Sequence, residues 1–160
     1  MTSHLRAGVI AAIATLVIDQ ASKLWLLRVF DIAHRGAVKV TSFLDLVLAW
    51  NIGISFGWFQ NDSPAAQIAL MVVKAVAVVV LAIWMARSRT LLATVALGLI
   101  IGGAVGNAID RLRLGAVTDF IDVQRLGFPW VFNLADSAIT VGSVFLIWDL
   151  FLAPRKRVPG

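Results

Sequence analysis

Residues 102–111 read GGAVGNAIDR. They close a run, Leu91–Ile109, that is otherwise apolar enough to sit in lipid. A helix of that character ends on Asn107, Asp110 and Arg111, with glycines just ahead of them. It must either keep those polar groups out of hydrocarbon or put them to use. Which of the two it does depends on what else gathers at that end of the chain.

Three other stretches share the apolar character: Ala7–Ile18 (extendable to Val29), Ala65–Ala86 and Leu134–Leu152. About 20 helical residues cross roughly 30 Å of hydrocarbon, and each stretch can supply that. The 160 residues are 60% hydrophobic and 14% charged, with a mean hydropathy of +0.90. A soluble domain runs nearer half apolar and about a quarter charged. The expectation is an all-α membrane protein, one domain over 1–160, with four transmembrane helices at approximately 7–28, 65–86, 91–109 and 134–152. The first stretch has a weak basic start, His4 and Arg6. It lacks an A-x-A site and runs on into DQASK, so it reads as a span and not as a cleaved leader.

The chain has no cysteine, which excludes disulfides, thiolate metal sites and a cysteine nucleophile. Its two histidines, His4 and His34, lie in unrelated segments, so a histidine metal site or a serine–histidine triad is not expected. There is no glutamate and no tyrosine, and all nine acidic side chains are aspartates. Acid–base chemistry must rest mainly on Asp, with no metal and no cofactor expected. The net charge of +5 sits on residues that flank apolar spans and form no single stripe, which argues against nucleic acid.

Four spans place both termini and the middle linker on one side. That side holds Arg6, Arg87, Arg89, Arg155, Lys156 and Arg157, with no acidic residue in those tails or that linker. The other side mixes Arg35, Lys39, Arg113 and Arg125 with Asp31, Asp45, Asp62 and Asp122. The lysine and arginine bias favours cytoplasmic termini. Residues 30–62 and 110–132 then face outward. In the first of these, Val38–Thr41 and Leu44–Trp50 favour strand. Trp50, Phe56, Trp58 and Phe59 suit a membrane–water boundary. The segment 30–62 is expected to form a small extracytoplasmic sheet on the outer leaflet.

The polar residues have structural and functional readings side by side. Asp19 and Lys23 are four apart and share a helix face, so they can pair. That pair is either a neutralised structural element or part of a site, and both can hold. Gly98, Gly102 and Gly106 recur every four residues, a face that lets another helix approach. Arg111 suits a helix C-terminus, but Asn107 and Asp110 do not help that end. Asn133 with Asp136 makes a respectable helix start. Between them VTDFID, residues 117–122, adds Asp119 and Asp122. Lys74 sits mid-span without an evident partner, and Asp149 lies near the inner boundary; both read as structural. Two carboxylates held close share a proton, so one can act as base toward water and the other as acid toward the leaving group. Spacing alone does not choose between Asp119 and Asp122. A proton or ion transporter, or an accessory subunit glued by these groups, are the rival readings. The polar residues crowd one end and do not line a path across.

The chain resembles the bacterial lipoprotein signal peptidases (signal peptidase II, aspartic peptidase family A8). The resemblance rests on DQASK at 19–23, NIGISFG at 51–57, GGAVGNAIDR at 102–111, VTDFID at 117–122 and FNLADSAI at 132–139. The GISF stretch departs from the commoner alanine-containing form. The resemblance implies Asp119 and Asp136 as the catalytic pair. It implies Asp19, Lys23, Asn51, Gly53, Asn107, Asp110, Arg111, Asn133 and Ala135 as the substrate-binding and supporting shell. It further implies four transmembrane helices with a small β-cradle, and a site near the outer face of the cytoplasmic membrane. The substrate would be a diacylglyceryl-modified prolipoprotein, cut before its lipidated cysteine. Membrane lipid is the other partner, and the chain is expected to act as a monomer.

Overall fold

A computed structural model describes residues 3–52 and 64–152, with the backbone alone for 64–70 and 152. The helices are α1 (Ser3–Arg28), the single turn α2 (Ile32–Arg35), α3 (Pro64–Arg87), α4 (Leu91–Leu114) and α5 (Leu134–Ile147). α5 runs on as a π-helical turn, Trp148–Leu152. Among the described residues, three helices are long and apolar enough to cross a membrane: Ser3–Arg28, Leu91–Leu114 and Leu134–Phe151. α3 covers the remaining expected span as a helix of 24 residues.

The burial pattern is that of a protein dissolved in lipid. On α1, Ile10, Ile13, Val17 and Ile18 are exposed, while Asp19 and Lys23 are buried. In water that order would be reversed, because large apolar side chains gain from burial and charges lose. α4 is the central helix, packed against α1, α5 and α3. Its glycines make this approach possible. A Cβ at Gly98 or Gly102 would collide with the α1 backbone at Gly8 or Ala12, and one at Gly106 would come within 2.5 Å of the Asp19 carboxylate. Gly103 meets α5 in the same way, at Ala135. The small-residue face read from the sequence is therefore real, and it is aimed at α1.

α4 is longer than its apolar run. It starts at Thr90, whose hydroxyl accepts from Ala93 N, and continues five residues past Ile109 to Leu114. Gly115 ends it at φ 74°, donating its N–H to Arg111 O. Arg111 and Arg113 break the hydropathy without breaking the helix; the left-handed glycine stops it. Asn107, Asp110 and Arg111 thus lie inside the last two turns and not at the helix terminus.

A four-stranded antiparallel sheet caps the same end of the helices, in the order β1 (Val38–Lys39), β2 (Asp45–Asn51), β3 (Val117–Asp122), β4 (Val131–Phe132). The expected strands at 38–41 and 44–50 form, the first of them shortened. Thr41 Oγ1 accepts from the N–H groups of Phe43 and Leu44, and this turn cuts β1 short. The other two strands come from 117–132, which the sequence did not assign to the sheet. The alternating, partly β-branched VTDFID was the available signal. Leu26, Ile32 and Phe120 pack beneath the sheet, with Leu46, Leu48 and Leu134 around them. At the opposite end, Met85, Ala93, Ala96, Leu97 and Leu146 form a second core. There Asp149 accepts a hydrogen bond from Thr90 Oγ1 at 2.8 Å, tying the end of α5 to the start of α4.

Candidate active site

The polar residues of α1, α4, β2, β3 and α5 meet where the sheet sits on the helices. Three layers build the cluster. The deepest is a charged one. Lys23 Nζ lies 2.9 Å from Asp19 Oδ2, one turn away on α1, and 2.9 Å from Asp110 Oδ2 on α4. All three side chains are nearly inaccessible to solvent. The remaining carboxylate oxygens are also engaged. Asp19 Oδ1 accepts from Ala135 N at 3.1 Å, and Asp110 Oδ2 also accepts from Thr118 N at 3.1 Å. Gln20 Nε2 reaches Asp19 Oδ2, Gly106 O and Asp110 Oδ1 at 3.0–3.1 Å. A buried charge is tolerable when it is paired and fully hydrogen-bonded, as these are. This layer joins α1, α4, β3 and α5.

The middle layer is a pair of asparagines. Asn107 Oδ1 accepts from Lys23 Nζ and from Asn133 Nδ2, both at 3.1 Å. With its oxygen facing two donors, Asn107 turns its amide nitrogen to Asp136 Oδ1 at 2.7 Å. Asn133 Nδ2 also donates to Asp119 Oδ1 at 2.6 Å.

The top layer is the two carboxylates. Asp119 Oδ2 accepts from Asn51 Nδ2 at 3.1 Å, so both of its oxygens are held by asparagine amides. Asp136 Oδ2 faces Asn133 N at 3.3 Å, while Asp136 N donates to Asn133 Oδ1 at 2.9 Å. This is a capping box on α5. The capping reading and the site reading therefore describe one set of contacts. Asp119 is buried, and Asp136 is half-buried. Burial pushes the Asp119 carboxyl above its ordinary value, and the charge of Asp136 pushes the same way. Hydrogen bonds from Asn51 and Asn133 and the charge of Lys23 pull it partly back.

A defect in the sheet aims Asn51. At the start of β2, Asp45 and Leu46 pair with Asp122 and Ile121; beyond a bulge, Ala49, Trp50 and Asn51 pair with Asp119, Thr118 and Val117. One extra residue on β2 exchanges its two faces. In the starting register the β2 neighbours on the Asp119 face would be Leu48 and Trp50. The bulge brings Asn51 onto that face.

The sequence-derived candidates separate cleanly. Asp19, Lys23, Asn51, Asn107, Asp110, Asp119, Asn133, Ala135 and Asp136 come together. Arg111 sits beside them, its Nη1 3.4 Å from Asn107 O. Gly53 and the rest of NIGISFG past Ile52 lie outside the described residues. Asp122 is elsewhere: it is three residues from Asp119, hence on the other face of β3, and its Oδ1 accepts from Gln124 N in a turn. Gln20 and the backbone N–H of Thr118 were not among the candidates. Gln20 stands inside DQASK, between two candidates, but two of its three partners lie 86 and 90 residues away.

Two amide-held carboxylates, one of them biased toward its neutral form, are suited to divide acid and base roles toward a water molecule. The comparisons with known proteins point the same way. The profile of the peptidase A8 family, signal peptidase (SPase) II, matches residues 11–152. Among curated relatives, the "Lipoprotein signal peptidase" of Nitrobacter hamburgensis is 62% identical over 97% of this chain and 98% of its own length. That of Rhodopseudomonas palustris strain TIE-1, under the same name, is 55% identical over the same shares. A bacterial membrane enzyme solved by the in meso method superposes with a TM-score of 0.75 at 28% identity, covering 95% of this chain and 94% of the other.

Proposed function

Because the chain belongs to the signal peptidase II family, we propose that Asp119 and Asp136 are its catalytic pair and that Asn51, Asn107 and Asn133 hold them in register. The protein is an aspartic-type membrane peptidase that removes signal peptides from prolipoproteins, and it resides in the inner membrane as a multi-pass protein. The observation that carries the residue assignment is the connectivity of the two carboxylates. Every carboxylate oxygen of the pair has one N–H donor, and Asn133 supplies donors to both residues.

In this reading Asp119 keeps the shared proton, since burial favours its neutral form. Asp136, more open, is the charged partner. Water bonds to the scissile carbonyl carbon and gives its proton to Asp136. As the C–N bond breaks, the proton of Asp119 passes to the leaving nitrogen. One proton remains on the pair, as at the start. Asp19, Lys23 and Asp110 form a foundation that orients Asn107, and through it Asp136. Arg111 balances negative charge beside the pair, and Gly53 joins the substrate-contacting shell.

The finer topology follows from the charges. α1, α3, α4 and α5 cross the bilayer four times, with termini in the cytoplasm, and the sheet and the carboxylates lie at the outer face. A diacylglyceryl chain can then stay in lipid while the bond next to its cysteine reaches water. The direct test incubates the purified protein with a diacylglyceryl-modified prolipoprotein and weighs the products. A cut immediately before the lipidated cysteine is expected, with no metal added. Cleavage at another bond, or of the unlipidated precursor equally well, would overturn the substrate assignment.

A further inference from the structure

At the carboxylate end of the helices, a cleft of about 60 Å³ opens between the last turns of α1 and α4. Arg28 of α1 and Arg113 of α4 line it, with Leu24, Leu27 and Leu114. Lys23 and Asp110 border it too, whereas Asp119, Asn133 and Asp136 do not. It is a place distinct from the proposed peptidase centre.

Three observations give this cleft a ligand. The first is charge. Arg35 donates to Phe30 O, Arg125 to Asp45, and Arg111 to Asn107 O. Arg28 and Arg113 have no such partner among the described residues, although each lies in the last turn of a helix whose carbonyls were available. The one carboxylate in the lining, Asp110, is already met by Lys23, Gln20 and Thr118 N. Lys23 has in turn spent its donors on Asp19, Asp110 and Asn107. The uncommitted charge is positive. The second is an unpartnered hydroxyl: Thr118, fully buried, lines the cleft and its Oγ1 has no hydrogen-bond partner among the described residues. A buried hydroxyl without a partner costs free energy, and an anion oxygen would satisfy it. The third is the apolar path leading away. Leu24 continues a line of exposed side chains, Ile10, Ile13 and Val17, spaced by three, four and seven along one face of α1.

We infer that this cleft binds the phosphate of an anionic phospholipid, with one acyl chain laid along the Ile10–Leu24 face of α1. Two guanidiniums and a hydroxyl fit a phosphodiester, because planar N–H forks match its oxygens. The apolar line selects a lipid over a free anion. The headgroup then rests against Lys23 and Asp110, outside the centre that cleaves. The inference uses the geometry of α1, α4 and the start of β3 only and stands whichever way the chain faces.

The test titrates the purified full chain in detergent with phosphatidylglycerol and counts bound lipid by native mass spectrometry. One lipid should bind the parent. Arg28→Gln with Arg113→Gln should weaken it about 30-fold, since each basic residue near a lipid phosphate contributes roughly a fivefold factor. Thr118→Val removes only the unpartnered hydroxyl and keeps the backbone N–H that Asp110 needs, so its fold should be intact and its lipid affinity lower. Arg125→Gln should bind as the parent does. Equal binding by the double arginine variant and by Thr118→Val would overturn the site. So would equal affinity for phosphatidylcholine, or displacement of the lipid by inorganic phosphate at matching concentration.

Discussion

Asn133 Nδ2 stands 2.6 Å from Asp119 Oδ1, and the same residue caps the helix that carries Asp136. One side chain thereby serves two jobs that substitution can separate. Asn133→Ser keeps an oxygen for Asp136 N but loses the amide donor to Asp119. Its thermal stability should stay near that of the parent, while cleavage falls about 10²-fold, the usual cost of losing one donor at a reacting centre. Asn133→Ala loses the cap as well and should also be less stable by about 1 kcal/mol. Thermal melts and single-turnover cleavage, measured on the same preparations, separate the two effects. A fully active Asn133→Ser would remove Asn133 from the mechanism.

The two carboxylates are expected to act as a unit. Asp119→Asn and Asp136→Asn should each lower cleavage about 10³-fold or more, and the double variant should be scarcely worse than either. Asp122→Asn is the internal control and should stay active, because its side chain holds only the turn at Gln124. Chelators should change nothing. A folded single variant that cleaves at a near-parental rate would end the dyad assignment.

Lys23 and Lys74 should behave differently. Lys23→Ala strands Asp19 and Asp110 in a buried layer and takes one of two donors from the oxygen of Asn107. Breaking a buried pair in this way costs about 3–5 kcal/mol in soluble proteins. Thermal stability and cleavage should both collapse in Lys23→Ala and hold in Lys74→Ala. Parental behaviour of Lys23→Ala would mean that the foundation is not needed.

Stability should depend on pH through Asp119. A carboxyl raised in the folded state binds its proton more tightly there than in the unfolded chain. Stability therefore falls as pH rises from the ordinary value of 3.8 through the raised folded value, and levels off above it. Asp119→Asn removes this contribution. The difference in melting temperature between that variant and the parent should grow in the variant's favour across this window, then stay constant. A difference that does not change with pH would contradict the burial effect.

The orientation can be read with single cysteines, since the chain has none of its own. A cysteine replacing Ser88, in the linker between α3 and α4, should be shielded from an impermeant thiol reagent added to intact cells. One replacing Gln124, exposed beyond β3, should react. The reverse pattern would invert the topology.

Much of this architecture is written in local spacing. The Asp19–Lys23 pair follows from a four-residue step on a helix, and the Asn133–Asp136 cap from a three-residue one. The GxxxGxxxG face announces a close helix contact without saying which helix. What the sequence withholds is contact across long separations. Nothing local tells Asn107 to stand between Lys23 and Asp136, or Gln20 to bridge to Asp110. The end of α4 was misplaced for a different reason. Hydropathy stops at Ile109, whereas a helix stops where its backbone does, at Gly115. Asp119 and Asp122 were separable in principle by strand parity, once 117–122 is known to be a strand.

The extra residue in β2 takes up a mismatch in length between β2 and β3. With the bulge closed and no residue lost, Leu48 would stand opposite Asp119 and the Trp50 indole, in place of the Asn51 amide, opposite Val117. Losing Val47 or Leu48 would instead remove the bulge itself and leave Ala49, Trp50 and Asn51 opposite Asp119, Thr118 and Val117, as they stand now. A shortening of this strand by one residue is therefore absorbed by straightening it, whereas a gain of one residue before Asn51 needs a second bulge to keep the amide on its face. A one-residue gap at 47–48 in a relative would thus mark a straightened strand with its chemistry intact.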